Sequence, residues 1–180
     1  MTVQKVLRMG DPILNRISIP ITDFLSPQLK EIVKDMKDTM KAMQGVGLAA
    51  PQIGFSLRIV VFGFSSNQRY PHEKSVPCTV LINPKLEIIN SIEEESWEGC
   101  LSIPGIRGLV SRPKKIRYSG YTENGNFFQR TASGFHSRIV QHEYDHLEGI
   151  LFPMRIKNFH NFGFEDELNK RRQKIRKPNP

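Results

Sequence analysis

The stretch QHEYDHLEG, residues 141–149, limits what this chain can fold into more than any other. It sets His142 and His146 four apart, with Glu143 directly after the first histidine. On a helix, residues four apart stand one turn apart on the same face, so both imidazoles can meet one cation with Glu143 close by. A cation held there lowers the pKa of its water to about 7, and a neighbouring carboxylate can take that proton and return it to a leaving group. The competing reading is three polar residues on a solvated helix. In a chain of this composition the spacing arises by chance in roughly 1 case in 100. Ile139, Val140 and Leu147 mark the helix as one that packs, and burying two histidines and a glutamate without a cation is costly. The metal reading is favoured.

Two histidines do not complete a catalytic site, which normally has three protein ligands and one open position. The metzincin spacing HExxHxxGxxH holds through Gly149 but puts Phe152 where its third histidine belongs. A downstream carboxylate is available at Glu165 or Glu167, and a thiol at Cys100, in WEGCLSIPG. A lone cysteine is more often a small buried thiol than a ligand. Spacing alone leaves these sources open.

A chain of 180 residues fits one domain with a real core. Apolar runs such as RIVVFGF are too short to span a bilayer, and the N-terminal MTVQKVLRMGDPILNR has no apolar secretory region. Cys78 and Cys100 then read as thiols in a reducing compartment, and the expected location is cytoplasmic. The net charge is +8, but six of the basic residues stand in 170–180, KRRQKIRKPNP, which leaves a body of about +2 (8 − 6).

SPQLKEIVKDMKDTMKAMQG reads as a helix, with Ser26 as N-cap, Pro27 at its first position and Gly45 as its left-handed stop. Leu29, Ile32, Val33, Met36, Met40 and Met43 form its apolar face. LRIVVFGF and CTVLINPKLEII read as strands, and Asn124-Gly125 between KKIRYSGYT and FFQRTASGF signals a two-residue hairpin. Helical pattern resumes near Ser133 and stops at Gly149, and a last helix runs from about Phe164 to Arg176. Hairpins without βαβ alternation predict an α+β fold, with antiparallel sheets packed around the HExxH helix, one helix before it and one after. The expected division is a single domain over 1–169 and a basic tail over 170–180.

Three segments in order, GVGLAAPQIG (45–54), EGCLS (98–102) and QHEYDH (141–146), resemble the signature motifs of the peptide deformylases. VLRMGDPILN adds to the likeness, which runs from about residue 3 to 155 and is nearest the type 1 bacterial and organellar-like members. The resemblance implies Cys100, His142 and His146 as metal ligands and Glu143 as general acid/base. It also implies that the Gln52 amide and the Leu101 N–H hold the oxyanion, and that Val46 and Gly47 pair with an extended substrate. Gly99, Arg107, Phe135, Arg138 and Ile139 would complete the substrate pocket, with the Arg138 stem lining it and its guanidinium reaching water. Trp97 reads as a packing aromatic, and Glu98 with Arg112 would brace the cysteine segment.

The activity so implied is hydrolysis of the formyl group from the initiator methionine of nascent chains, releasing formate. One divalent ion is implied, Fe(II) in cells with zinc, nickel or cobalt in preparations, although ligand rules for such a site favour zinc. The resemblance extends to a partner: the basic tail would dock on the ribosome. No membrane or direct DNA binding is expected. Two rivals stand beside this reading: an HExxH peptidase using Glu165 or Glu167, and a basic nucleic-acid-binding protein with a structural metal. The long polar loop SSNQRYPHEKSVP has no assigned role.

Overall fold

The computed structural model describes residues 3–176, with side chains described as far as Arg171. Six strands form one antiparallel sheet: β1 (Gly47–Ala49), β2 (Ile59–Phe64), β3 (Val76–Cys100), β4 (Ile103–Tyr121), β5 (Phe127–Ser133) and β6 (Phe162–Phe164). The order is β1-β2-β3-β4-β5, with β6 also on β4. Three helices accompany it: α1 (Pro27–Ala42), α2 (Gly134–Leu147) and α3 (Glu165–Arg176). This is the α+β arrangement expected, with α2, the HExxH helix, packed against the sheet.

The run IVVF in β2 is continuously apolar because both of its faces are covered. Ile59 and Val61 face the core under α1, with Leu29, Val33 and Met36. Val60 and Phe62 face the other way, onto Ile139, Val140 and Leu147 of α2. Period-two alternation thus divides one strand between two cores. Burial of each such side chain contributes about 1.5–3 kcal/mol, which fixes where α2 can lie. A third cluster, with Leu14, Ile103, Val110, Leu151 and Phe152, surrounds Cys100.

The stops of the two helices differ from each other. α2 ends as expected: Gly149 is left-handed (φ 70°), with Gly149 N–H bonded to the His146 carbonyl and Ile150 N–H to that of Asp145. A Cβ at Gly149 would come within 2.7 Å of the Asn15 backbone. Gly149→Ala is therefore expected to destabilise the fold by more than ~1 kcal/mol, seen as a lower urea midpoint at unchanged slope. α1 stops one residue earlier than expected, at Gln44 (φ 52°), and Gly45 N–H bonds to the Met40 carbonyl. Gly45 instead packs closely: a Cβ there would stand 3.0 Å from the Leu101 side chain, which would have to shift slightly to admit it. Met43 falls past the helix and is exposed, and Ser26 makes no side-chain cap bond.

β3 is 25 residues long, far beyond the strand expected from CTVLINPKLEII. Its first part pairs with β2 and the rest, from Ile82 to Cys100, with β4. Register shifts after Ile82 and Ile88 interrupt the ladder, and Asn83 sits at the first of them (φ 50°) with its side chain bonded to both backbone groups of Ile21. The β4–β5 hairpin is present, but its loop spans 122–126 instead of two residues. Thr122 N–H bonds to the Asn126 carbonyl and Gly125 takes the left-handed position (φ 77°), a turn plus bulge. The expected 169/170 boundary falls inside α3, and the basic tail lies outside the described residues from 177 onward.

Candidate active site

The last residues of β3 and the central turns of α2 meet at one place. The Cys100 Sγ stands 3.3 Å from the His146 Nε2, and the donor atoms of Cys100, His142 and His146 all lie within 4.8 Å of one another. His142 Nδ1 is 2.9 Å from Glu98 Oε2, which leaves its Nε2 for the centre of the group. One thiolate and two imidazoles with an open side form the donor set of a catalytic metal site. Among the described residues no other such group exists. Glu165 bonds to Arg107 and Glu167 to Lys170, so neither joins the cluster, and the peptidase alternative loses its third ligand.

Glu98 is the hub behind the ligands. It accepts from Arg112 at 2.6 and 2.9 Å and from Arg138 at 2.8 Å while facing His142. Burial pushes its carboxyl up, but Arg112 and His142 hold it far below the usual carboxylate range. Arg112 continues to Asp145 at 2.8 Å, and Asp145 to the half-exposed Arg155 at 2.7 Å. Glu98 and Arg112 therefore brace the cysteine segment, and Asp145, two residues after Glu143, extends the brace.

Arg138 departs from expectation. Its guanidinium does not reach water: it is buried against Glu98 and the carbonyls of Val110 and Glu94. Glu98 lies 40 positions away, so the charge has a partner that local sequence does not display. Trp97, read as a packing aromatic, is among the residues that line the pocket.

Burial pushes the Glu143 carboxyl up to about 7, with His142 and Arg112 opposing and Glu98 assisting. Its Oε2 is buried without a hydrogen-bond partner. It lies so close to Gly47 that any Cβ there would overlap the carboxylate. His146 is pushed well below its ordinary pKa by burial and by His142 and Arg112, which keeps it neutral and able to coordinate.

Gln52 is fixed at both ends. Its Oε1 accepts from Ala49 N–H at 2.8 Å, which aims Nε2 at Ser102 Oγ (3.1 Å) and Cys100 Sγ (3.4 Å). The Val46 carbonyl is bonded to Gly63 N–H, and Ala49 N–H to Gln52. Strand alternation then turns the Gly47 backbone to the open edge of β1. Val46, Gly47, Gln52, Gly99, Leu101, Phe135, Arg138 and Ile139 all line one pocket with Cys100, His142 and Glu143. Arg107 stands beside it, packed over Gly99. Ser102, Arg69 and Tyr70 were not expected. Only Ser102 had a signal, lying inside EGCLS.

Fold and site together place the chain in the class of HExxH metallohydrolases, with a three-donor group shared between the end of β3 and the HExxH helix. The polypeptide deformylase family model matches residues 3–162, and the chain belongs to that family. Peptide deformylase 2 of Ralstonia nicotianae is 51% identical over 166 residues, covering 92% of this chain and 94% of that protein. Peptide deformylase 1 of Nitrosomonas europaea is 52% identical over the same length and shares of each chain. The Met-Ala-Ser-bound class I type b peptide deformylase of Acinetobacter baumannii matches with a TM-score of 0.83 at 37% identity, covering 86% of this chain and 99% of that one. Its actinonin-bound form matches with a TM-score of 0.76 at 34% identity, covering 87% of this chain and all of that one.

Proposed function

We infer that this chain hydrolyses the N-formyl group from the initiator methionine of newly made polypeptides, releasing formate and a free amino terminus. The observation that carries this is the convergence of Cys100, His142, His146 and Glu143 in one pocket of a deformylase-family chain.

Cys100, His142 and His146 would hold one divalent cation, which when bound supplies Lewis-acid activation of water and of the formyl oxygen. Glu143 takes the proton of the attacking water on its carboxylate and passes it to the departing amine; a carboxyl near neutrality suits both transfers. Gln52 Nε2, locked by Ala49, and the Leu101 N–H donate to the oxygen that becomes negative; such donors are typically worth about 10²–10³ in rate. Gly47 offers its backbone to an extended substrate, and the methionine side chain enters among Phe135, Arg138 and Ile139. Beyond its oxygen and the amide nitrogen the formyl carbon bears only hydrogen, so a crowded site excludes larger acyl groups. Formate release from formyl-Met-Ala-Ser, with acetyl-Met-Ala-Ser left intact, tests the reading. Equal cleavage of both, or cleavage of internal peptide bonds instead, would overturn it.

We propose Fe(II) as the working metal, supported by the family likeness, over the zinc that the Cys/His/His donor set alone would favour. The Fe(II) form is expected to lose activity in air, because O2 oxidises the ferrous ion and with it the adjoining thiolate, while the nickel form, whose metal resists oxidation, persists. Equal aerobic lifetimes at matched occupancy would contradict iron. The cytoplasm is the proposed location, and among the described residues no helix is long and apolar enough to cross a membrane. Ribosome docking through the tail is supported by six basic residues in 170–180.

A further inference from the structure

The polar loop between β2 and β3 has no part in the chemistry above, yet two of its residues, Arg69 and Tyr70, line the pocket together with Cys100 and His142. Tyr70 is fastened there. Its ring lies 4.7 Å from that of Phe135, and its hydroxyl accepts from Arg107 Nη1 at 3.1 Å. Arg107 packs over Gly99, where any Cβ would come within 2.8 Å of Nη1, and donates to Glu165 of α3 at 3.1 Å. Loop, β4 and α3 therefore meet at one point of the rim.

Arg69 comes next to this anchor, exposed, with its backbone N–H bonded to the Asn67 side chain at 2.9 Å. Among the described residues it has no ion-pair partner, whereas Arg107 is neutralised by Glu165. Arg69, Tyr70, Trp97 and Phe135 also line a second chamber of about 250 Å³, large enough for one side chain, which continues to Glu165 and Asn169. Arg69 thus borders both chambers and, among the described residues, has no ion-pair partner. Glu73 borders only the outer chamber and the groove beyond it.

We propose that Arg69 is a specificity-determining residue for deformylation, favouring chains with an acidic side chain directly after the methionine, and that Tyr70 is the positioning residue that holds it at the rim. The proposal rests on the deformylase reading. With methionine in the inner pocket, the next residue leaves past the junction where Arg69 stands. A guanidinium fork matches a carboxylate with two parallel hydrogen bonds and repels a lysine. Because Arg69 is exposed, the preference is modest and fades as salt screens it.

The test compares kcat/KM for formate release from formyl-Met-Asp-Ser, formyl-Met-Ala-Ser and formyl-Met-Lys-Ser by the metal-loaded protein. The aspartate peptide is expected to exceed the lysine peptide by about two- to fivefold at low salt. That ratio should collapse in Arg69→Ala and invert in Arg69→Glu. It should also collapse in Tyr70→Ala at unchanged metal content. Lys74→Glu makes the same kind of charge change on the same loop but borders neither chamber, so the ratio should survive it. A wild-type ratio of one, a ratio unmoved by Arg69→Glu, or a ratio abolished equally by Lys74→Glu would overturn the proposal while formyl-Met-Ala-Ser is still cleaved. Failure of the wild-type protein to release formate from formyl-Met-Ala-Ser at all would overturn the deformylase reading and the proposal with it.

Discussion

Glu143→Ala is expected to keep one metal per chain while losing about 10²–10⁴ of the turnover. Glu143 is not among the three clustered donors, so its removal leaves Cys100, His142 and His146 in place. It is buried against Gly47 with one oxygen unpartnered, so no second carboxylate can take over its position. Asp145 is committed to Arg112 and Arg155, and Glu98 to Arg112, Arg138 and His142. Metal analysis beside formate release separates this outcome from simple loss of the site. Near wild-type turnover at full metal content would remove Glu143 from the proton transfers.

Cys100→Ala is expected to weaken metal binding sharply and to abolish activity, whereas Cys78→Ala should change neither. Cys100 is buried 3.3 Å from His146 Nε2, while Cys78 is exposed on β3. In the cobalt-substituted protein a sulfur-to-metal charge-transfer band should be present in Cys78→Ala and absent from Cys100→Ala. The double variant Glu165→Ala/Glu167→Ala serves as the counter-case: both carboxylates are tied to Arg107 and Lys170, so it should keep the band. A band that survives Cys100→Ala but vanishes in the double variant would contradict the ligand assignment.

The parts legible in the sequence are those fixed by local spacing. The i, i+4 histidines, the apolar face of α1 and the Gly149 stop each depend on neighbours within a turn or two. What escaped depends on partners far away. Arg138 reads as a solvent-seeking residue until Glu98, 40 positions earlier, is seen to accept from it. β3 runs on through Glu87–Glu95, where both faces are exposed, so no alternation marks it as strand; its pairing with β4 sets its length. Gly45 looks like a helix stop, but the left-handed position falls one residue earlier, on Gln44. Tyr70 sits in a loop without periodicity, and only its contacts with Phe135 and Arg107 bring it to the pocket. Choosing Cys100 over Glu165 and Glu167 was beyond spacing; the family likeness favoured it, and the fold brings Cys100 alone to the histidines.

The central claim is that deformylation depends on one cation held by Cys100, His142 and His146. Stepwise addition of Co(II) to chelator-treated protein, reading the charge-transfer band and formate release from formyl-Met-Ala-Ser in parallel, tests it most directly. Both signals are expected to rise together and level off at one equivalent, and His146→Ala should show neither. Formate release that persists in the metal-free protein, or that rises without the band, would contradict the account.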